Sequence, residues 1–269
     1  MDPRTFRAFQ ELARQEAGIF LRPGKAALVR ARLARRVREL NVAGEEAYLE
    51  VLRGDRDEVT RFLDAISTSF TRFFREPDHF DLVAEAVAAA RAAGQERFRF
   101  WCAGCASGEE PYTLAMVLAP LLAGCDWKIL ATDLSTPALA RATAGVYSDD
   151  EIEPVPPLIR QRGLERAALA PDGRPRWSVA AALRERISFA RLNLAARPYP
   201  MRGPFDAVLC RNVMIYFDQD MRAGVVAEVE RLLAPGGLLL VGHSETLSGS
   251  PTRLRSIRPS VYQQAGGDQ

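Results

Sequence analysis

The chain has almost no lysine and almost no histidine. Lys25 and Lys128 are the lysines among 36 basic side chains, the rest being arginine, and the two histidines are His79 and His243. Nor is there a charge excess, since 34 acidic side chains leave a net charge of +2. That excludes a chain-wide nucleic-acid surface, although a local basic stripe can hide inside the balance. No apolar run approaches the roughly 20 residues of a membrane span, so no membrane insertion is expected. Met1-Asp2-Pro3-Arg4 has no apolar stretch behind it, so no secretory signal is expected and the cytoplasm is the expected location. Cysteine is sparse as well, at 102, 105, 125 and 210. Cys102-Ala103-Gly104-Cys105 spells C-x-x-C, a redox pair or half a zinc site by pattern. A zinc site needs further ligands, however, and Cys125 and Cys210 stand alone. His79 and His243 are not at a metal-ligand spacing either, so no metal is expected and buried free thiols are the ordinary reading.

What is present is a soluble-type composition, 48% hydrophobic and 26% charged over 269 residues, enough for a catalytic domain with a smaller partner. Two regimes follow one another. Up to about residue 68 only short helices are expected. Phe6, Phe9 and Ala13 recur at helical spacing, as do Val29, Leu33, Val37 and Leu40, then Val59, Phe62, Leu63 and Ile66. Turn signals at Arg22-Pro23-Gly24, Val42-Ala43-Gly44 and Arg53-Gly54-Asp55 separate them.

From about residue 96 strands alternate with helices. Strands are expected at Phe98–Trp101, Lys128–Ala131, Phe205–Cys210 and, after the break Ala234-Pro235-Gly236-Gly237, at Leu238–Val241. Helices are expected over Pro111–Ala123, Pro137 to about Gly145, and Gln219–Leu233. This alternation predicts an α/β fold, a Rossmann-like doubly wound parallel sheet, preceded by an all-α bundle. An insertion at about 154–192 interrupts it: prolines crowd at 154, 156 and 157, Asp172-Gly173 signals a turn, and Trp177–Val179 and Arg186–Phe189 read as two short antiparallel strands. The expected division is 1–68 and 69–269, with a loose tail from Ala265 to Gln269.

Sheets of this kind bind ligands at the carboxyl ends of their strands. After the first strand, Gly104 and Gly108 allow a tight turn and a close backbone approach. Glu109 and Glu110 stand at the mouth of that turn, where they repel a pyrophosphate and suit a cationic or hydroxyl-bearing ligand; helix-dipole compensation explains them equally. After the second strand, Asp133 can accept ribose hydroxyls, although it stands further from Gly104 than the roughly 20 residues of the dinucleotide fingerprint. It can also simply cap the next helix, as Ser135 can. Arg211 and Asn212 open an otherwise apolar run, Val213-Met214-Ile215-Tyr216-Phe217. Together these strand ends describe a pocket for an adenosine-bearing ligand without a pyrophosphate.

Four segments then resemble the CheR family of chemotaxis receptor methyltransferases. They are Thr68-Ser69-Phe70-Thr71-Arg72-Phe73-Phe74-Arg75-Glu76, Gly108-Glu109-Glu110-Pro111-Tyr112, Cys210 to Phe217, and Gly242-His243-Ser244-Glu245, in the family's order. The resemblance implies transfer of a methyl group from S-adenosylmethionine to glutamate side chains of chemoreceptors. Carried over by position, the cofactor contacts are Thr71, Arg75, Glu110, Asp133, Asn193, Leu194, Asn212 and Val213. Ser69, where the family usually has Asn, still offers one hydrogen bond. A glutamate carboxylate is ionised at neutral pH, so its attack on a methyl sulfonium needs no general base, only in-line positioning. Arg75 and Tyr216 are the expected catalytic residues, the first as a bidentate carboxylate clamp and the second as an orienting ring. Pairing of Arg75 with Glu76 or Asp78, and core packing of Tyr216, are the competing structural roles.

The basic stripe comprises Arg22, Lys25, Arg30, Arg32, Arg35, Arg36 and Arg38, with no acid between residues 22 and 38. By the resemblance it docks the acidic cytoplasmic segments of a chemoreceptor; otherwise it is a solvated helix face. The segment 172–190 lies where some family members hold a receptor-tail peptide, but no matching glycine-rich loop is present. A monomer is expected. Two rivals remain: a nicotinamide oxidoreductase, which lacks its G-x-G-x-x-G here, and a catalytically silent cofactor- or receptor-binding adaptor of the same fold, for which the polar strand-end residues would be superfluous.

Overall fold

The computed structural model describes residues 1–67 and 69–266. Thr68, at the head of one motif and at the expected division, lies outside the described residues, as do positions 267–269 of the tail.

The first part is a helical bundle of α1 (Pro3–Ala17), α2 (Ala26–Glu39), α3 (Glu45–Gly54) and α4 (Arg56–Ile66). Its ends are set locally. Asp2 accepts from the Arg4 and Thr5 amides and Pro3 opens α1; Gly18, at φ 67°, closes it in the left-handed conformation. Asp55 caps α4 in the same way through Asp57 and Glu58. Phe9, Leu33, Tyr48 and Phe62 are wholly buried where the helices meet. Each such side chain contributes about 1.5–3 kcal/mol by leaving water.

The second part begins with α5 (Asp78–Ala92), a helix that the sequence pattern did not single out. Then follow β1 (Arg97–Ala103), α6 (Glu109–Leu118), β2 (Asp126–Asp133), α7 (Thr136–Ala144), β3 (Val146–Ser148), α8 (Asp149–Ile152), α9 (Pro157–Gly163), β4 (Leu164–Ala167), β5 (Arg176–Val179), α10 (Ala181–Arg184) and β6 (Ile187–Arg191). The chain closes with β7 (Phe205–Cys210), α11 (Gln219–Leu232), β8 (Leu233–Val241), β9 (Arg255–Arg258) and β10 (Val261–Gln263). The seven-stranded sheet has the order β6-β2-β1-β7-β8-β10-β9. Its first five strands are parallel; β10 is antiparallel to both β8 and β9. Strand β1 shows why it is two-faced: Phe98, Phe100 and Cys102 pack on one side with α5 and α6, while Trp101 and Ala103 pack on the other with α11. A parallel strand covered on both faces reads as a continuous apolar run.

Three expectations need correction. Helix α6 starts at Glu109 and stops at Leu118 rather than running from Pro111 to Ala123, because Pro120 cannot continue it. Ala234–Gly237 is not a break: β8 runs through it from Leu233, with a register irregularity against β7, and the exposed Pro235 and Gly236 (φ 77°) sit at that loosened end. Arg186–Phe189 is no partner of Trp177–Val179. As part of β6 it is the parallel edge of the main sheet beside β2, whereas β5 pairs antiparallel with β3 and β4 in a separate three-stranded sheet. Pairing choice for so short a strand is tertiary, and Ile187, beside Ile129 of β2, is drawn into the core.

The helical bundle lies against the carboxyl ends of the main sheet. The Asn193 side-chain amide donates to the Glu16 carbonyl at 2.5 Å, the Phe20 amide donates to the Tyr216 carbonyl at 2.7 Å, and Arg14 pairs with Asp218 at 3.0 Å.

Candidate active site

Between the bundle and those strand ends is a cavity of about 530 Å³, within the size range of small-molecule sites. It sits where the chain turns from β1 to β2 on one side and returns to β7 on the other, the switch point at which doubly wound sheets bind ligands. Gly104 follows β1, Asp133 ends β2, Asn193 and Leu194 follow β6, and Asn212 and Val213 follow β7; all line the cavity. Glu110 reaches it from α6, Ser69, Thr71 and Arg75 from the segment before α5, and Tyr216 from the short turn Met214–Tyr216.

Gly104 has φ 84°, and a Cβ there would overlap Val213 Cγ2, so the Val213 side chain packs on the Gly104 backbone and leaves no room for a side chain. Asp133 is held by the Ala106 amide at 2.8 Å and the Ser135 amide at 2.8 Å, and burial raises its pKa against those bonds. The helix cap itself belongs to Ser135, which accepts from Ala138, so capping does not account for Asp133. Asn212 takes a positive φ of 58°. Glu245 secures that turn by accepting from the amides of Asn212 at 2.7 Å, Gly242 at 2.6 Å and Ile215 at 3.1 Å; burial raises its pKa despite them.

The electrostatic centre is Arg211, whose side chain is 2% exposed. It pairs with Glu76 at 3.0 Å and Glu110 at 3.1 Å and donates to the Arg75 carbonyl. Burial pushes the Glu110 carboxyl up to about 7 although Arg211 opposes it. Burial acts the same way on Glu76, but there Arg211 wins and the pKa is lowered. Among the described residues, Glu110 Oε1 is buried without a hydrogen-bond partner, an acceptor left for a ligand's donor. Glu109, expected beside it at the mouth, instead turns inward and accepts from Ser107 at 2.7 Å. Arg75 pairs with neither Glu76 nor Asp78 but donates to the Phe70 carbonyl at 3.1 Å, with its guanidinium 5.7 Å from the Phe70 ring centroid.

The mouth is apolar and basic. Phe20, Leu28, Phe70 and Ile215 line it while 50%, 44%, 72% and 39% exposed. Arg22, Lys25 and Arg32 of the basic stripe also line it. The stripe is not one solvated face, however: Arg30 pairs with Glu45, Arg35 with Glu39, and Arg36 with the buried Glu58 at 2.5 Å. Glu58, which burial would raise, is held below its usual range by Arg36 and by Tyr48. Arg36 is therefore bundle structure.

Arg211, Glu245 and Phe70 stand inside the family-like motifs but sequence reasoning gives them no role in the site, and Glu76 enters it only as a partner of Arg75. Their adjacency to the Arg75 and Asn212 motifs was the available signal. The fold also joins the two histidines, whose ring centroids lie 4.8 Å apart. Burial, with Arg211 adding to it, pushes His79 down to about 4. Cys102, Cys105 and Cys210 are buried thiols whose pKa burial raises well above the ordinary value.

A mostly parallel doubly wound sheet with a cavity at its strand ends makes the fold Rossmann-like, and the family model that the chain matches makes its class that of the S-adenosylmethionine-dependent methyltransferases. Residues 69–262 match the family model described as CheR methyltransferase, SAM binding domain, and residues 4–67 match its all-alpha domain. The chain belongs to the CheR methyltransferase family. It is 39% identical to a chemotaxis protein methyltransferase of Escherichia coli (strain K12) over 261 residues, covering 96% of this chain and 89% of that one. Identity to the Salmonella typhimurium chemotaxis protein methyltransferase is 38%, covering 96% and 88%. Against chemotaxis protein methyltransferase 2 of Pseudomonas aeruginosa it is 35%, covering 97% and 92%.

Proposed function

We propose that this protein methylates glutamate side chains of chemoreceptor cytoplasmic domains, as a protein-glutamate O-methyltransferase, giving glutamyl methyl esters. The observation that carries the reading is the cavity lining, where exposed Phe20, Phe70 and Ile215 occur together with Arg22, Lys25, Arg32 and Arg75. Apolar rings and cations together suit an acidic amphipathic helix that presents a carboxylate. In this reading residues 1–68 dock the receptor and 69–269 carry the chemistry, in the cytoplasm and as a monomer.

S-adenosylmethionine, when bound, supplies an electrophilic methyl group. Ser69, Thr71, Arg75, Gly104, Glu110, Asp133, Asn193, Leu194, Asn212 and Val213 would hold it. Gly104 gives the backbone its close approach, while Asp133 and Glu110 offer acceptors. Arg75 steers the incoming carboxylate and Tyr216 orients it against the strand-end turn. The substrate carboxylate is already ionised, so none of these residues has to remove a proton.

Titration calorimetry with S-adenosylhomocysteine, with NAD as control, followed by labelled-methyl transfer to receptor fragments, tests this. Adenosylhomocysteine should bind and NAD should not; the label should be base-labile, and Arg75→Ala should abolish transfer with the fold intact. Transfer that survives alkali, or an Arg75→Ala variant of full activity, defeats the assignment. Adenosylhomocysteine binding with no transfer to any receptor fragment would favour the silent adaptor.

A further inference from the structure

Behind Arg211, and outside the lining of the cavity, the turn entering α5 meets the turn that follows β8. There Glu76, His79 and His243 bring one ligand-type atom each to within 4.8 Å of one another. We propose that these three side chains form a binding site for a borderline transition-metal dication of the zinc type.

The argument starts from His79, which is 0% exposed. Its Nε2 lies 2.8 Å from Ser260 Oγ. The Ser260 hydroxyl donates its own proton to the Pro259 carbonyl at 2.6 Å, so it can only accept from the imidazole. Nε2 therefore carries the hydrogen and Nδ1 presents a bare lone pair. Among the described residues that buried Nδ1 has no hydrogen-bond partner. What faces it, at 3.6 Å, is Glu76 Oε2, a second acceptor. Two lone-pair donors converging in a buried place are unfavourable until a cation stands between them.

His243 completes the group. Its ring meets His79 edge-on at 85°, and its Nε2 lies 3.3 Å from Asp78 Oδ2. An outer carboxylate of that kind orients a ligating imidazole, just as Ser260 orients His79. Two imidazoles and a carboxylate, with a fourth position open to water, form a zinc-type donor set. Metal–ligand bonds of ~2.0–2.2 Å in a tetrahedron put ligand atoms roughly 3.3–3.6 Å apart. The His79–Glu76 separation already meets that spacing. His243, half exposed, is the ligand free to close the remaining distance. Glu76 would then be shared between the cation and Arg211, as an anionic bridge. An occupied site would tie the turn at 76–79 to the turn at 242–243, and so steady the Arg211 network from behind.

Untagged, chelator-treated protein titrated with zinc, and separately with cobalt(II), provides the test. Expected are one zinc per chain, a zinc-dependent rise in melting temperature, and visible cobalt bands of nitrogen–oxygen type. His243→Gln, at an exposed position that leaves the core alone, should weaken zinc at least about tenfold and remove the melting shift. Cys125→Ser should change neither. His79→Gln should also lose zinc, provided its circular dichroism matches the parent. No stoichiometric zinc binding, binding indifferent to His243→Gln, or a cobalt–thiolate charge-transfer band would each overturn the site.

Discussion

Arg211→Leu is the perturbation whose consequences the structure defines most closely. The guanidinium sits 2% exposed between Glu76 at 3.0 Å and Glu110 at 3.1 Å, side chains that are themselves only 14% and 12% exposed. Leucine fills part of the volume and leaves two carboxylates facing each other without a cation. Removing one partner of a buried pair costs about 3–5 kcal/mol, because the orphaned charge stays desolvated. In a chain of this size roughly 2–4 °C of melting temperature go with each kcal/mol, so a fall of roughly 6–20 °C is expected. The fall should depend on pH with a definite sign. Burial already pushes Glu110 up to about 7 in the presence of Arg211, which opposes the shift, so its removal raises that carboxyl further. A protonated Glu110 needs no counter-charge. The deficit of Arg211→Leu relative to the parent should therefore be larger at pH 8, where both carboxylates lose their cation, than at pH 6, where Glu110 is protonated and only the ionised Glu76 is orphaned. Calorimetric melts of both proteins across that range decide it, and Arg211→Leu/Glu110→Gln should recover part of the loss at pH 8. A deficit under about 3 °C at pH 8, or one that does not change with pH, refutes the electrostatic account.

Glu110→Gln alone should flatten the pH dependence of stability. A carboxyl raised from 4.5 to about 7 favours the folded state below its unfolded pKa, and that contribution is lost as pH rises through the folded value. Melts between pH 4.5 and 7 should slope downward in the parent and less so in the variant, and equal slopes would dismiss the shift. Gly104→Ala should weaken adenosylhomocysteine by about tenfold or more, since the new methyl overlaps Val213 and a φ of 84° costs an L-residue about 1–2 kcal/mol; unchanged calorimetric affinity would contradict it. Arg36→Met should lower bundle stability by about 2 kcal/mol, less than a fully buried pair because Arg36 is 18% exposed. Arg35→Met, on an exposed pair, should be near neutral in the same denaturation assay.

Local pattern carried much of this protein. Phe205–Cys210 reads as a strand from six residues, and Gln219 as the start of a helix, because both depend on neighbours in the chain. The strand-end positions Gly104, Asp133 and Asn212 were legible for the same reason: wherever strands and helices alternate, a residue just after a strand is placed at the ligand edge. Pairing across the chain was not legible. Residues 186–189 carry the same β-type signal whether they join the small sheet or the edge of the large one, and burial of Ile187 in the core beside β2 decided between them. Seven cations from residue 22 to 38 with no acid among them read as one surface until folding gave Arg36 a buried partner 22 positions away.

The amino-acid sequence by itself determined the alternation of elements, the residues at the strand ends and the family to which they point, since these are periodicities and short motifs. Only the tertiary structure decided which charges neutralise one another. It set Arg211 against Glu76, 135 positions distant, and brought His79 to His243 although no sequence spacing joins them. Burial and long-range pairing depend on which turns the sheet order brings side by side, and no local window of sequence contains that order.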